Sequence, residues 1–363
     1  MALDEYYILG GSSLRVSRLA LGTMTFGTEW GWGCDEATAR ALFGAYLDAG
    51  GNFIDTADTY TNGTSERLLG QFIAERKARD RVVLATKFTH NGAPGNPNAG
   101  GNGRKNVMRA LNASLERLRT DYIDLYFLHT WDLLTRPDEA MRTFDDLVRS
   151  GKVRHVALSD VPAWYAARAQ TLAEWRGYEP VCALQVEYSL VERNIEHEFT
   201  RLATDYGMGL MVWSPLGGGV LSGKYRPAEN GSTGAGRLQV TKGFSKLTEH
   251  NFRIVAELEG VAREVERSMA QVAINWVAHR PGVASVILGA TKLAQLEDTM
   301  RALDFELPAP LAARLESVSR PEARFPYSFF GGRLQQSIHG GVTVGDEPPG
   351  YRAPLVVPAL KRS

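Results

Sequence analysis

Residues 123–129 read Ile123-Asp124-Leu125-Tyr126-Phe127-Leu128-His129, a mostly apolar run that closes on an ionisable side chain. The same pattern recurs in Val82-Val83-Leu84-Ala85-Thr86-Lys87 and in Asn52-Phe53-Ile54-Asp55. Short runs rich in branched and aromatic residues read as buried strands, and the stretches between them carry the spacing of amphipathic helices. Working outward, strand ends fall near Gly22, Asp55, Lys87, His129, Ser159, Gln185, Ser214 and Gly289. Helices are expected over 36–49, 65–78, 107–119, 137–150, 163–175, 194–206, 251–266, 269–279, 293–303 and 311–318. Ser268 is placed to cap one of them, with Gln271 three residues on, and Gly151 stops another. Eight strands alternating with helices fit an α/β chain closed into a (β/α)8 TIM barrel better than an open sheet.

Such a barrel needs about 250 residues, and the chain has 363. The surplus is expected in two enlarged loops and a tail. Residues 91–103 (NGAPGNPNAGGNG) follow the third strand and residues 226–246 the seventh, both on the face where barrel enzymes carry their sites. Residues 1–320 therefore read as one barrel domain. Residues 321–363 read as a Gly- and Pro-rich tail whose Phe325, Tyr327, Phe329 and Phe330 suit a cover over the barrel mouth.

Lys plus Arg and Asp plus Glu both number 41. Zero net charge argues against a nucleic-acid surface and for a small-molecule partner. No long uncharged apolar run suggests a membrane span, and the N-terminus has no signal-peptide pattern, so the cytoplasm is the expected compartment. Cys34 and Cys182 are too far apart for a CxxC motif and read as reduced thiols. The histidines at 90, 129, 155, 197, 250, 279 and 339 form no HxH or HExxH pair, so no metal site is expected. Residues 218–224 fit GxxxxGK, but Tyr225 stands where a phosphate loop needs Ser or Thr. What remains is a Gly-rich turn of exposed amides, suited to a pyrophosphate.

An Asp, a Lys and a His delivered by successive strands to one face point to chemistry there. Tyr60, five residues past Asp55, adds a phenol. Lys87 is expected to draw that phenol toward working range, Asp55 to hold the ammonium, and His129 to orient a substrate carbonyl and share in proton delivery. Trp30, Trp32, Phe88 and Trp131 are the candidate aromatic walls of the substrate pocket. Protonating a carbonyl also requires a hydride or other nucleophile, and no side chain is an evident source.

These residues resemble the aldo-keto reductases, (β/α)8 oxidoreductases that use NADPH, over about 9–303. The motifs that carry the resemblance are GGNFIDTADTY (50–60), LATKF (84–88), DYIDLYFLH (121–129), GKVRHVALS (151–159), LQVEYSL (184–190) and WSPLGGGVLSGKY (213–225). The resemblance implies reduction of an aldehyde or ketone, with Tyr60 as general acid assisted by Lys87, Asp55 and His129. It implies cofactor contacts at Gly22 and Thr23, at Ser159, Asp160 and Gln185 around the nicotinamide, and at Trp213 on its ring. Further contacts are implied at Ser214, Pro215, Leu216, Gly217, Gly219 and Leu221 along the pyrophosphate, with Lys224 and Arg226 nearby, and at Gly289, Thr291, Lys292, Gln295, Asp298 and Thr299. Three positions depart from the family pattern. Asp160 replaces an Asn, Thr291-Lys292 replaces an Arg, and Thr299 replaces an Asn. They leave NADH open beside NADPH. An alternative reading, by resemblance to potassium-channel beta subunits, is an NADP-binding redox-sensing or regulatory subunit with slow turnover.

Overall fold

The computed structural model describes residues 3–228, 231–233, 238, 246–330 and 332–342. Eight parallel strands form a closed barrel in chain order. They are β1 (Leu19–Gly22), β2 (Phe53–Asp55), β3 (Val83–Phe88), β4 (Ile123–Leu128), β5 (Val153–Ser159), β6 (Val181–Glu187), β7 (Gly209–Trp213) and β8 (Val283–Gly289). The ring closes where β8 pairs with β1, from Val286↔Leu19 to Gly289↔Gly22. Around it lie α1 (Glu36–Asp48), α2 (Thr64–Glu75), α3 (Arg104–Leu118), α4 (Pro137–Arg149), α5 (Ala163–Arg176), α6 (Phe199–Asp205), α7 (Glu249–Glu264), α8 (Met269–Ala278), α9 (Leu293–Met300) and α10 (Ala309–Ser319). Ser268 caps α8 by accepting from the Gln271 amide at 3.1 Å. The helix expected over 194–206 is broken: a 3-10 turn, Asn194–His197, precedes α6, because Glu198 leaves the helical region at φ −137°.

Period-two alternation separates two cores. Phe53, Ala85, Phe127, Ala157, Ala183 and Met211 point into the barrel. Ile54, Leu84, Tyr126, Leu128, Leu158, Leu184 and Val212 point out against the helices. Two residues past each of those six interior positions stand Asp55, Lys87, His129, Ser159, Gln185 and Trp213. The pleat that buries the interior therefore carries a layer of polar and aromatic groups to the C-terminal mouth.

The opposite end is plugged by an antiparallel hairpin, Tyr6–Ile8 with Arg15–Ser17, which the sequence reading did not anticipate. Leu9 and Val16 complete the barrel's inner core and have no exposed surface. Gly10 turns the hairpin at φ 54°, where a Cβ would stand 2.1 Å from the Cys182 carbonyl oxygen, so no other residue fits. A cleft of about 370 Å³ beside the hairpin, lined by Tyr7, Ile8, Gly10, Thr204 and Ala284 among others, holds no carboxylate, imidazole or amine.

The chain separates into two compact units, residues 1–321 and 322–363. In the second, a 3-10 turn at Tyr327–Phe329 precedes α11 (Gly332–Ile338), and Tyr327 packs edge-on to Phe330 at 6.2 Å. Residues 343–363 of the expected cover lie outside the described residues, as does much of the enlarged loop over 226–246. No helix among the described residues is long and apolar enough to cross a membrane.

Tyr46 on α1 ties the first two strands together. Its buried hydroxyl donates between Leu19 O at 2.8 Å and Phe53 O at 3.0 Å and accepts from Phe53 N at 3.1 Å. Tyr46→Phe leaves these backbone groups unsatisfied and is expected to cost about 1–3 kcal/mol; an unchanged midpoint in a denaturant titration would contradict the assignment.

Candidate active site

Lys87 is the centre of the mouth layer. Its side chain has no exposed surface, and its ammonium donates to Asp55 Oδ2 at 2.7 Å, Thr56 O at 2.8 Å and the Tyr60 hydroxyl at 3.2 Å. Three acceptors match the three protons of an ammonium. Burial works against the charge, but Asp55 and Tyr60 outweigh it and hold Lys87 above its ordinary pKa. The other Asp55 oxygen accepts from Gln185 Nε2 at 2.8 Å. Gln185 thus reaches across the barrel to the carboxylate, a contact invisible in the sequence.

Lys87 draws the Tyr60 phenol downward as expected, but burial outweighs it. Burial, with Asp55 adding to it, holds the phenol above its ordinary pKa against the pull of Lys87. His129 faces Tyr60 edge-on at 5.8 Å. Burial, Lys87 and His90 together push its pKa well below the ordinary value, and its buried Nδ1 has no hydrogen-bond partner among the described residues. His90, an exposed residue, stands edge-on to His129 at 5.0 Å. It lies three residues past the strand end expected at Lys87, with no pattern in the sequence to mark it as part of the site.

Of the four expected pocket aromatics, Trp30 meets Tyr60 edge-on at 6.4 Å and Trp32 packs on Trp30 at 5.5 Å. Phe88 is a correction. It follows the inward Lys87, so the pleat turns it outward, where it packs on Tyr126 at 5.0 Å and Phe144 at 6.0 Å behind the sheet. Trp131 packs on Trp164 and Tyr165, with its ring against the outer core.

A second polar group spans the mouth. Trp213 Nε1 donates to Asp160 Oδ1 at 3.1 Å, and Asp160 and Ser214 both hold left-handed φ values, 45° and 54°. Such conformations in non-glycine residues are costly and concentrate at functional sites. After Ser214 the chain makes three consecutive left-handed turns at Gly217, Gly218 and Gly219 (φ 55°, 69° and 97°). A Cβ on Gly219 would stand 2.7 Å from the Lys224 ammonium.

A model of the family described as Aldo/keto reductase family matches residues 18–320. The chain belongs to the aldo/keto reductase family. Norsolorinic acid reductase of Aspergillus flavus is 32% identical over 353 residues, covering 95% of this chain and 88% of that protein. An aryl-alcohol dehydrogenase of Pestalotiopsis microspora is 33% identical, covering 92% and 87%. A protein of Oryza sativa subsp. japonica named "Probable voltage-gated potassium channel subunit beta" is 37% identical, covering 83% and 91%. This aldo/keto reductase is an oxidoreductase that depends on a nicotinamide cofactor.

The residues present suit such a cofactor: amides stacked in a glycine turn beside an ammonium, a half-buried indole, and an unpartnered buried imidazole nitrogen. Not every expected contact is available. Thr23 is buried and spends its hydroxyl on Asp55 O and Ser65. The Thr299 hydroxyl bonds its own helix at Gln295 O and Leu296 O. The Asp298 carboxylate is taken by Ser268 and Gln271, Gln295 folds back on Thr291, and Arg226 pairs with Glu259 of α7. Lys292 is exposed at the start of α9, whose N-terminus has no side-chain cap. Gly22 packs so closely on β8 that a Cβ would reach Ile287 at 2.5 Å.

The lowered His129 pKa has a measurable sign. Between the free value of about 6.5 and its own, the unfolded chain binds the extra proton, so this histidine's contribution to stability falls as pH drops below about 6.5. His129 is expected to stay neutral at pH 6 by nitrogen NMR; an imidazolium signal there would refute the buried assignment.

Proposed function

We propose that this aldo/keto reductase reduces an aldehyde or ketone to the alcohol with NADPH, using Tyr60 as general acid. The observation that carries the reading is the Tyr60 hydroxyl at 3.2 Å from a fully buried ammonium that is itself paired to Asp55. A phenol kept protonated by burial has a proton to give to the carbonyl oxygen. The phenolate left behind forms next to Lys87, so charge appears where a cation already stands. Asp55, steadied by Gln185, keeps that ammonium in place. Neutral His129 carries one N–H, suited to donate to the same oxygen and orient it. Trp30 and Trp32 would wall an apolar carbonyl substrate, and a proton from solvent restores Tyr60.

NADPH, when bound, supplies the hydride that the carbonyl carbon takes up. The glycine turn and Lys224 would hold its pyrophosphate, with Ser159, Asp160, Gln185 and Trp213 around the nicotinamide. Lys292 would meet the 2′-phosphate as a point charge. The names of the fungal relatives support carbonyl and alcohol chemistry. The rice relative's name, that of a potassium channel subunit, is the support for the regulatory-subunit alternative.

The decisive experiment follows oxidation of NADPH, and separately of NADH, with a panel of aromatic and aliphatic aldehydes and ketones. Turnover on at least one is expected; tight cofactor binding with no turnover on any would favour the regulatory alternative. Tyr60→Phe is expected to lower turnover by about a hundred- to ten-thousandfold while cofactor affinity stays nearly unchanged, and an active Phe variant would remove Tyr60 from its role. Lys292→Ala should weaken NADPH much more than NADH. Equal weakening would exclude a 2′-phosphate contact.

A further inference from the structure

Three carboxylates stand at strand ends around the mouth, Asp55 at the end of β2, Asp160 just after β5 and Glu187 at the end of β6, and two of them are neutralised. Asp55 pairs with Lys87 at 2.7 Å and Glu187 with Lys246 at 3.2 Å. Asp160 has no ion-pair partner among the described residues; its side chain is held by the neutral indole N–H of Trp213. Its backbone is held as well: Asp160 N donates to Gln185 O, and Asp160 O accepts from Trp131 N. With φ at 45°, the corner is fixed in a conformation that aims the carboxylate at Trp213. Asp160 is exposed at this end of the barrel. Trp213 is half-buried and packs against the inner core.

An aromatic face beside an unpaired carboxylate is a recognition pair for a planar cation. The ring quadrupole and the full charge attract the same ligand, and neither distinguishes a neutral one. Resting on the proposed nicotinamide reading, the two redox states of that ring differ in just this property, since the oxidised ring carries a positive charge and the reduced ring none. We propose that Asp160, acting with Trp213, is a specificity residue for cofactor redox state and makes the site hold NADP+ more tightly than NADPH. The bound cofactor is thereby a stronger reductant than the free one, which favours carbonyl reduction on the protein, and the oxidised cofactor is released slowly afterwards.

The test is equilibrium titration of NADP+ and NADPH, without substrate, followed by quenching of intrinsic tryptophan fluorescence. At pH 7.5 the wild type is expected to bind NADP+ more tightly. Asp160→Asn, which keeps the size and an acceptor oxygen, should lose roughly fivefold or more in NADP+ affinity and less than twofold for NADPH. The wild type alone gives a second measurement. Burial raises the Asp160 pKa to about 6, with Glu187 adding to the rise and the Trp213 N–H opposing it. Lowering the pH from 7.5 to 5.5 should therefore shrink the preference toward that of the Asn variant. Of the other groups facing the mouth, Lys87 and Tyr60 are held above their ordinary values and His129 and His90 below theirs, while the phosphates are common to both nucleotides and cancel in the ratio. Equal ratios in wild type and variant, or a ratio flat between the two pH values, overturn this inference alone. Binding of neither nucleotide by the wild type overturns the nicotinamide reading and this inference with it.

Discussion

The Lys87 ammonium is a full charge with no access to water, and the active-site face is organised around keeping it there. Removing an ion from water costs several kcal/mol even after relaxation, so each of its protons needs an acceptor. All three come from one segment, the end of β2 and the loop after it, through Asp55, Thr56 and Tyr60. The register of β2 on β3, with Asp55 beside Ala85, puts that segment next to the lysine two residues further on. One strand pairing therefore sets the ion pair and the phenol's environment, while Gln185, from across the barrel, orients the carboxylate.

The barrel's two ends are opposites for the same reason. At the N-terminal end Leu9 and Val16 fill the opening with apolar surface, worth roughly 1.5–3 kcal/mol per side chain buried. At the C-terminal end the interior column finishes in groups that a hydrophobic core cannot accept. The mouth is consequently where unsatisfied atoms, left-handed backbone and shifted titrations gather: His129 Nδ1, the corners at Asp160 and Ser214, and the raised phenol of Tyr60. Stability is built at one end and spent at the other, which is the division of labour expected of this architecture.

Much of this is legible in the sequence. Period-two runs gave the strands, and an ionisable residue closing three of them marked the face; Asp55, Lys87, His129 and Tyr60 then came together in space. The errors were also local. Phe88 is expected as a pocket wall, yet its position next to the inward Lys87 turns it outward. The hairpin at the N-terminus is not legible in the sequence because its strands are three residues each, too short for a periodicity to register.

The sequence by itself determined the fold class and the chemical inventory of the mouth, because the alternation of side chains along a strand is a property of the chain alone. Only the tertiary structure decided which groups meet. Gln185 on Asp55 and Trp213 on Asp160 join strands that are not neighbours, and the balance that raises Tyr60 and lowers His129 depends on how much protein surrounds each ring. Those contacts exist because eight strands close into a ring and bring their ends to a common centre, a distance relation that no spacing along the chain encodes.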